Sequence, residues 1–293
     1  MKQIRLQTTV PTEPLPFKVS HDEPILLIGS CFTENMGQRM ASLHFDTLIN
    51  PFGIMYNPLS IAEALQRCLD NDPVDDSILV QRDGLWHSWL HHGAFSRHDR
   101  QDCLDACNSL IDKAHAFLGR CRKIIVTLGS AYYYTLNATG LVVANCHKVP
   151  SAEFGLHLAS VEEITIAWQP LMQRLREAGF ELLFTVSPVR HNAYGAHGNQ
   201  LGKAALLLAV DSLCRSFGAS YFPAYEIVVD ELRDYRFYAD DLSHPSPLAE
   251  NIVWQRFQLS TMSDATIVLC DQYDSENRRT AHRTILRGEL EGS

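Results

Sequence analysis

The chain has 293 residues, a formal net charge of −9, 46% hydrophobic residues and 20% charged residues. This length and apolar fraction suit one large α/β domain or two small ones, and they exclude a disordered chain. The negative charge, with no block of lysine or arginine, argues against nucleic acid and against an anionic membrane surface as partners.

The cysteine pattern and the start of the chain bear on the cellular compartment. Eight cysteines are scattered along the chain without a C-x-x-C pair, which predicts free thiols in a reducing compartment. The first twenty residues lack the apolar core of a signal peptide, and no apolar run reaches the length of a membrane span. We expect a cytoplasmic protein, and the sequence leaves its oligomeric state open.

Five short apolar runs alternate with helical patterns. In chain order, the predicted strands cover residues 25–28, 45–49, 123–128, 181–186 and 218–222. The predicted helices run from an N-cap at Thr33 to 43, from a Ser60–Glu63 capping box to 69, and over 101–118, 161–178, 201–217 and 248–259. The alternation predicts an α/β fold with a doubly wound parallel sheet of about five strands.

Two segments interrupt this alternation, and a third follows it. Residues 78–90 read as a β-hairpin with an Asp83-Gly84 turn, inside an insertion at about 71–100. Residues 137–158 have weak periodicity and are predicted to form a long loop. The sequence thus predicts one domain over 1–262 and a polar C-terminal extension over 263–293, helical from Asn277 onward.

Polar segments follow four of the predicted strands. They are Gly29-Ser30, Asn50–Gly53, Gly129-Ser130 and 187–191. The carboxyl ends of parallel strands meet at one edge of a sheet, and ligands bind at that edge. We therefore expect the functional site there.

Ser30 is the first candidate nucleophile. It stands where an apolar strand turns into a helix, so the N–H groups of Ser30 and Cys31 would lie at the positive end of the helix dipole. A thiolate at Cys31 would also be a good nucleophile there, but we interpret Cys31 as a small buried residue.

Asp241 and His244 supply the second half of a candidate triad. A carboxylate three residues before a histidine, on one loop, can hold the imidazole in the tautomer that a general base needs. Asp240 is an alternative partner for His244. Histidines crowd the hairpin at 87–98, but without H-E-x-x-H we expect no metal site there. Motifs for nucleotide binding are absent, so we expect no cofactor.

Several segments together resemble one family. Gly29-Ser30-Cys31-Phe32, followed by Asn35 and Gly37, resembles the motif that names the GSCFA family, a branch of the SGNH/GDSL-like hydrolases. The resemblance covers about residues 7–259, in the order Asn50-Pro51-Phe52-Gly53, 126–131, Asn145-Cys146-His147-Lys148, Ser187-Pro188-Val189-Arg190 and Asp241-x-x-His244. It implies a three-layer sandwich.

The resemblance also implies roles for single residues. Ser30 would be the nucleophile, with Asp241 and His244 completing the triad and Gly53 at an oxyanion position. The third family block normally carries an asparagine donor, but here it reads Gly129-Ser130-Ala131-Tyr132. We expect Asn145 or His147 to replace that donor, or a hole with two donors only. Gly129 and Arg190 are further candidates for substrate contact.

The sequence therefore predicts an esterase that forms an acyl-enzyme on Ser30. Trp86 and Trp89 of the hairpin suggest a sugar surface, so an O-acylated carbohydrate or small ester is the expected substrate. An acyltransferase acting on a glycan or cell-wall precursor is one alternative. A non-catalytic glycan-binding module is another, because the third-block asparagine is missing.

Overall fold

A computed structural model of the chain describes residues 7–291, with side chains through residue 280. Residues 1–6 and 292–293, which the predicted domain and extension include, lie outside the described residues. The strands are β1 Ile25–Gly29, β2 Thr47–Ile49, β3 Leu79–Arg82, β4 Leu85–Ser88, β5 Lys123–Leu128, β6 Tyr132–Leu136, β7 Val142–Val143, β8 Phe154–Leu158, β9 Glu181–Val186 and β10 Ser220–Tyr221. The helices are α1 Cys31–Ser42, α2 Pro58–Asp70, α3 Arg100–Arg120, α4 Val161–Glu177, α5 Gly195–Phe217, α6 Ala224–Glu226 with a π-helical turn Ile227–Leu232, α7 Pro247–Thr261 and α8 Asp264–Glu291.

The central sheet has five strands in the order β10-β9-β5-β1-β2, and every pairing in it is parallel. Strand β1 lies between β5 and β2, with Leu26 opposite Ile124 and Leu48. Its residues are all buried, because helices cover both faces of the sheet. The predicted α/β fold with a doubly wound parallel sheet is confirmed.

Alternation along the strands divides the core into two layers. Leu26 and Ile28 face the larger cluster, which α2, α3, α4 and α5 cover. Ile25 and Leu27 face the second cluster, to which α1, α7 and the start of α8 contribute. Since successive side chains of a strand point to opposite faces, the continuous apolar run of β1 serves both clusters. The result is a three-layer sandwich.

Two small antiparallel sheets lie outside the central one. Strands β3 and β4 form the predicted hairpin, and Asp83 and Gly84 turn it with φ of 50° and 78°. The prediction of a loop over 137–158 is wrong in part, because β7, β6 and β8 form a three-stranded sheet. Strand β7 has two residues, too few to show a period in the sequence.

Several predicted boundaries shift. Helix α1 begins after Ser30 rather than Thr33, and α2 has Asn57 as its N-cap, whose Oδ1 accepts the Ser60 N–H at 2.8 Å. Helix α5 begins at Gly195, six residues before the predicted start, since its first turns carry no apolar periodicity. Helix α8 already begins at Asp264. Its Cys270 contributes to the second core cluster, so the C-terminal segment packs on the domain.

Across residues 7–291, no helix combines the length and the hydropathy that crossing a membrane requires.

Candidate functional site at the carboxyl edge of the sheet

The polar segments predicted to share one edge do so. The Gly29–Ser30 turn follows β1, Asn50 follows β2, Gly129 follows β5 and Ser187 follows β9. These four strands are adjacent and parallel in the sheet. The edge therefore gathers backbone and side-chain groups that are far apart along the chain.

The turn between β1 and α1 requires glycine. Gly29 has φ of 141°, and a Cβ there would lie 2.1 Å from the Thr127 carbonyl oxygen of β5. The Gly29 N–H donates to Asn50 Oδ1 at 2.8 Å, and Asn50 Nδ2 donates to Glu34 Oε2 at 2.8 Å. Asn50 thus joins the ends of β1 and β2 to the first turn of α1, which fixes the turn in place.

Ser30 faces the interior. It caps α1 in an extended conformation, but its side chain makes no capping hydrogen bond. The residue is 1% exposed, and its Oγ is buried with no hydrogen-bond partner among the described residues. Its N–H donates to the Thr127 carbonyl oxygen at 3.3 Å. Its Cβ packs against Gly129, where an added Cβ would lie 3.3 Å away.

Cys31 is the first residue of α1, and it is partly exposed. Burial raises the pKa of its thiol, while hydrogen bonds from the N–H groups of Phe32 and Cys31 lower it. The charge of Lys203 also lowers this pKa, and that of Glu250 raises it. Cys31 is thus only partly buried, not fully buried as the sequence predicts, although burial remains the main influence on the pKa of its thiol.

Lys203 is a site residue that sequence reasoning missed. It is 2% exposed, and its Nζ donates to the carbonyl oxygens of Gly129 and Ser187, both at 2.7 Å. Burial lowers its pKa to about 7. The signal in the sequence is its position on the apolar face of α5, three and seven residues before Leu206 and Val210. A lysine in such a stripe must find polar partners inside the protein.

The Asp241–His244 pair is formed as predicted. Asp241 Oδ2 accepts from His244 Nδ1 at 2.6 Å, and Oδ1 accepts the N–H groups of Ser243 and His244 at 2.9 Å each. These bonds, with the backbone N–H of His244 first, lower the pKa of Asp241 to about 2. A neutral imidazole that donates through Nδ1 keeps Nε2 as a proton acceptor. In the described chain, Asp240 makes no hydrogen bond to His244.

The loop that carries this pair is tied to the sheet edge on two sides. The Arg190 N–H, just after β9, donates to the Ser243 carbonyl oxygen at 3.0 Å. Helix α7 begins three residues after His244, and its Glu250 accepts from Asn35 Nδ2 of α1 at 2.7 Å. The loop therefore lies beside the turn, although no hydrogen bond joins His244 to Ser30 or Cys31 within residues 7–291.

Three backbone N–H groups at this edge, those of Ser30, Gly53 and Gly129, already donate to carbonyl oxygens. The Gly53 N–H donates to the Asn50 carbonyl oxygen at 2.7 Å, and the Gly129 N–H donates to that of Tyr56 at 2.9 Å. The Ser30 N–H is taken by Thr127. The N–H groups of Cys31 and Phe32 differ, because the first turn of a helix offers them no carbonyl acceptor. Tyr56, also missed from the sequence, lies with its half-exposed ring over Gly129.

Asn145 and His147 line a neighbouring cavity of about 330 Å³, together with Arg82, Asp83, Leu85, His87, His92, Gly93 and Lys148. The cavity adjoins the edge because His92 packs on Gly53, where a Cβ would lie 2.2 Å from His92 Cβ. His147 Nε2 is 2.6 Å from the Ser88 carbonyl oxygen, and burial lowers the pKa of His147 to about 4. Its single N–H is therefore used, which leaves Asn145 as the freer donor.

The sequence was then compared with known families. A model of the GSCFA family matches residues 24–257. The chain belongs to the GSCFA family. No match is found among curated proteins. The segment shared with the family ends within α7, so it includes the β1–α1 turn and the Asp241–His244 loop but leaves α8 outside.

In this GSCFA protein, the aromatic and arginine side chains predicted to contact substrate pack against other side chains. Trp89 is 6% exposed and packs with Val143 and Phe154 in a small core, so the prediction of a sugar-binding surface there is wrong for this residue. The guanidinium of Arg100 covers the ring of Trp86 at 5.4 Å. Arg190 lies over the rings of Tyr235 and Tyr238. Among the described side chains, no three potential ligands are arranged to hold a metal ion.

Proposed function

We propose that this chain hydrolyses an ester through a covalent acyl-enzyme formed at the β1–α1 turn, as the resemblance to SGNH-like hydrolases implies. The observation that carries the proposal is the 2.6 Å bond between Asp241 and His244, on a loop held against the same sheet edge as the turn. Ser30, the nucleophile predicted from the sequence, and Cys31 both stand at that turn.

The proposed reaction has two steps. The nucleophile attacks the ester carbonyl carbon while His244 takes its proton, and the carbonyl π electrons move to oxygen. Collapse of this oxyanion breaks the bond to the alcohol, which leaves with the proton from His244. Water then attacks the acyl group, His244 takes the water proton, and the nucleophile is released with a carboxylic acid. Asp241 holds the imidazole and stabilises its charged form.

The cavity beside Gly53 supports a small substrate. Its volume of about 330 Å³ lies at the lower end of the range for small-molecule sites. Asn145 offers an amide donor there, and Lys148 a positive charge. The substrate proposed is therefore a small or short-chain acyl ester. Trp89 is buried, so it offers no aromatic surface for a carbohydrate part of the substrate.

The test is pre-steady-state hydrolysis of an aryl acetate by wild type and by Asp241→Asn. The asparagine Oδ1 can still accept both backbone N–H bonds, so the loop keeps its shape while the imidazole loses its charged partner. We expect acylation to slow by roughly 10²–10⁴-fold. Asp240→Asn is the matched control and should act like wild type. Absence of wild-type turnover, or equal losses in both variants, would contradict the proposal.

A further inference from the structure

We propose that Cys31, not Ser30, is the nucleophile at the β1–α1 turn, an inference that rests on the proposed function. The two residues are adjacent in the chain, but they differ in burial and in the hydrogen bonds of their backbone.

Burial separates the two candidates first. Ser30 is 1% exposed, and its side chain packs on Gly129 where β1 and β5 end. Its buried hydroxyl hydrogen-bonds to nothing in the described structure. Cys31 is partly exposed at the same turn. Of the two residues, Cys31 is therefore the more accessible to an ester arriving from solvent.

The backbone separates them again. Ser30 donates its N–H to β5, so it cannot stabilise an oxyanion. Cys31 and Phe32 are the first residues of a 12-residue helix, whose first N–H groups lack acceptors and lie at the positive end of the dipole. The same two N–H groups favour negative charge on the thiol sulfur, because they lower its pKa. An oxyanion formed on a carbon attached to that sulfur lies beside the same donors.

Charged and titratable groups face the thiol from three directions. Lys203 of α5 favours the thiolate, Glu250 of α7 disfavours it, and Tyr56 couples to it from the segment before α2. Burial raises the pKa of the thiol above its ordinary value, so at neutral pH the sulfur holds its proton. Cys31 therefore needs a general base, which explains why a thiol site retains an Asp241–His244 pair.

The proposed thiol reaction also has an acylation step and a hydrolysis step. His244 removes the thiol proton as sulfur bonds to the carbonyl carbon, and the leaving alcohol takes that proton when its C–O bond breaks. The product is a thioester on Cys31. Water, deprotonated by His244, then cleaves the C–S bond and restores the thiol.

The experiment locates the acyl group on the wild-type protein. An aryl acetate reaction is quenched in acid during the burst, and the 30–31 peptide is sequenced by fragmentation mass spectrometry. An acetyl group on Cys31, removed by neutral hydroxylamine as a thioester, is the expected result. Acetyl on Ser30 would overturn the inference and leave the proposed function standing. No adduct and no turnover would overturn both.

Variants supply the second readout. We expect Ser30→Ala to keep acylation within about threefold and Cys31→Ala to lose roughly 10³-fold or more. Cys214→Ala is the matched control, since Cys214 is also a partly exposed thiol but lies near β10, far along α5 from Lys203. It should keep wild-type rates. An active Cys31→Ala with an inactive Ser30→Ala would reverse the assignment, and the wild-type mapping does not depend on any variant folding.

Discussion

The buried amine of Lys203 should make stability depend on pH in a way that Lys203→Met removes. The residue is 2% exposed, and burial lowers its pKa to about 7 from an ordinary 10.5. Between these values the unfolded chain holds the proton more tightly than the folded one. The charged lysine therefore lowers the free energy of unfolding by its full amount below pH 7. This loss disappears as the pH rises toward 10.5.

The size of the effect follows from the two pKa values. Each unit of difference is worth about 1.4 kcal/mol, so the full cost approaches ~5 kcal/mol. The slope with pH is the cleaner quantity, because a neutral amine still has two N–H groups for Gly129 and Ser187. From pH 7 to pH 9, wild type should gain about 2 kcal/mol relative to Lys203→Met.

The measurement is urea unfolding of both proteins at several pH values between 7 and 9. Lys113, exposed on α3, gives the matched control. Lys113→Met should follow the wild-type curve, because solvent remains in contact with its ammonium group. If the free energies of unfolding of wild type and Lys203→Met change in parallel over this range, burial does not lower the pKa of Lys203. That result would contradict the prediction.

Two further substitutions test the turn itself. Ser30→Ala removes a buried hydroxyl without a partner, so the free energy of unfolding should stay within about 0.5 kcal/mol of wild type; a larger loss in urea unfolding would mean that the hydroxyl is hydrogen-bonded. Gly29→Ala places a Cβ 2.1 Å from the Thr127 oxygen at a φ of 141°, so it should lose roughly 3 kcal/mol or more. Wild-type unfolding of Gly29→Ala would contradict this conformation.

The central sheet could be predicted because each strand is a continuous apolar run bounded by turn residues. Strands β5 and β9 match their predicted bounds, and β1 extends by one residue, to Gly29. The Asp241–His244 bond was also predictable, because three residues on one loop determine it. In both cases the information is local, since either burial on two faces or a short spacing specifies the structure.

The remaining features depend on contacts between distant segments. Nothing in the neighbourhood of Lys203 shows that its amine meets the ends of β5 and β9. The spacing of residues in the sequence does not show that the Gly53 and Gly129 N–H groups donate to the carbonyl oxygens of Asn50 and Tyr56. The register of β6 with β8 likewise arises from packing over the small core around Trp89, which a window of sequence does not contain.

The end of β1 separates the two candidate nucleophiles. Leu26 and Ile28 point to the face that α5 covers. Ser30 is extended, with φ of −74° and ψ of 178°, and its buried side chain packs on Gly129 at the end of β5. Cys31 begins a helix instead, and a helix start presents its side chain and its N–H together at one end. A shift of one residue therefore separates a side chain directed inward from a thiol beside two unused donors. The choice between serine and cysteine chemistry follows from where the strand ends.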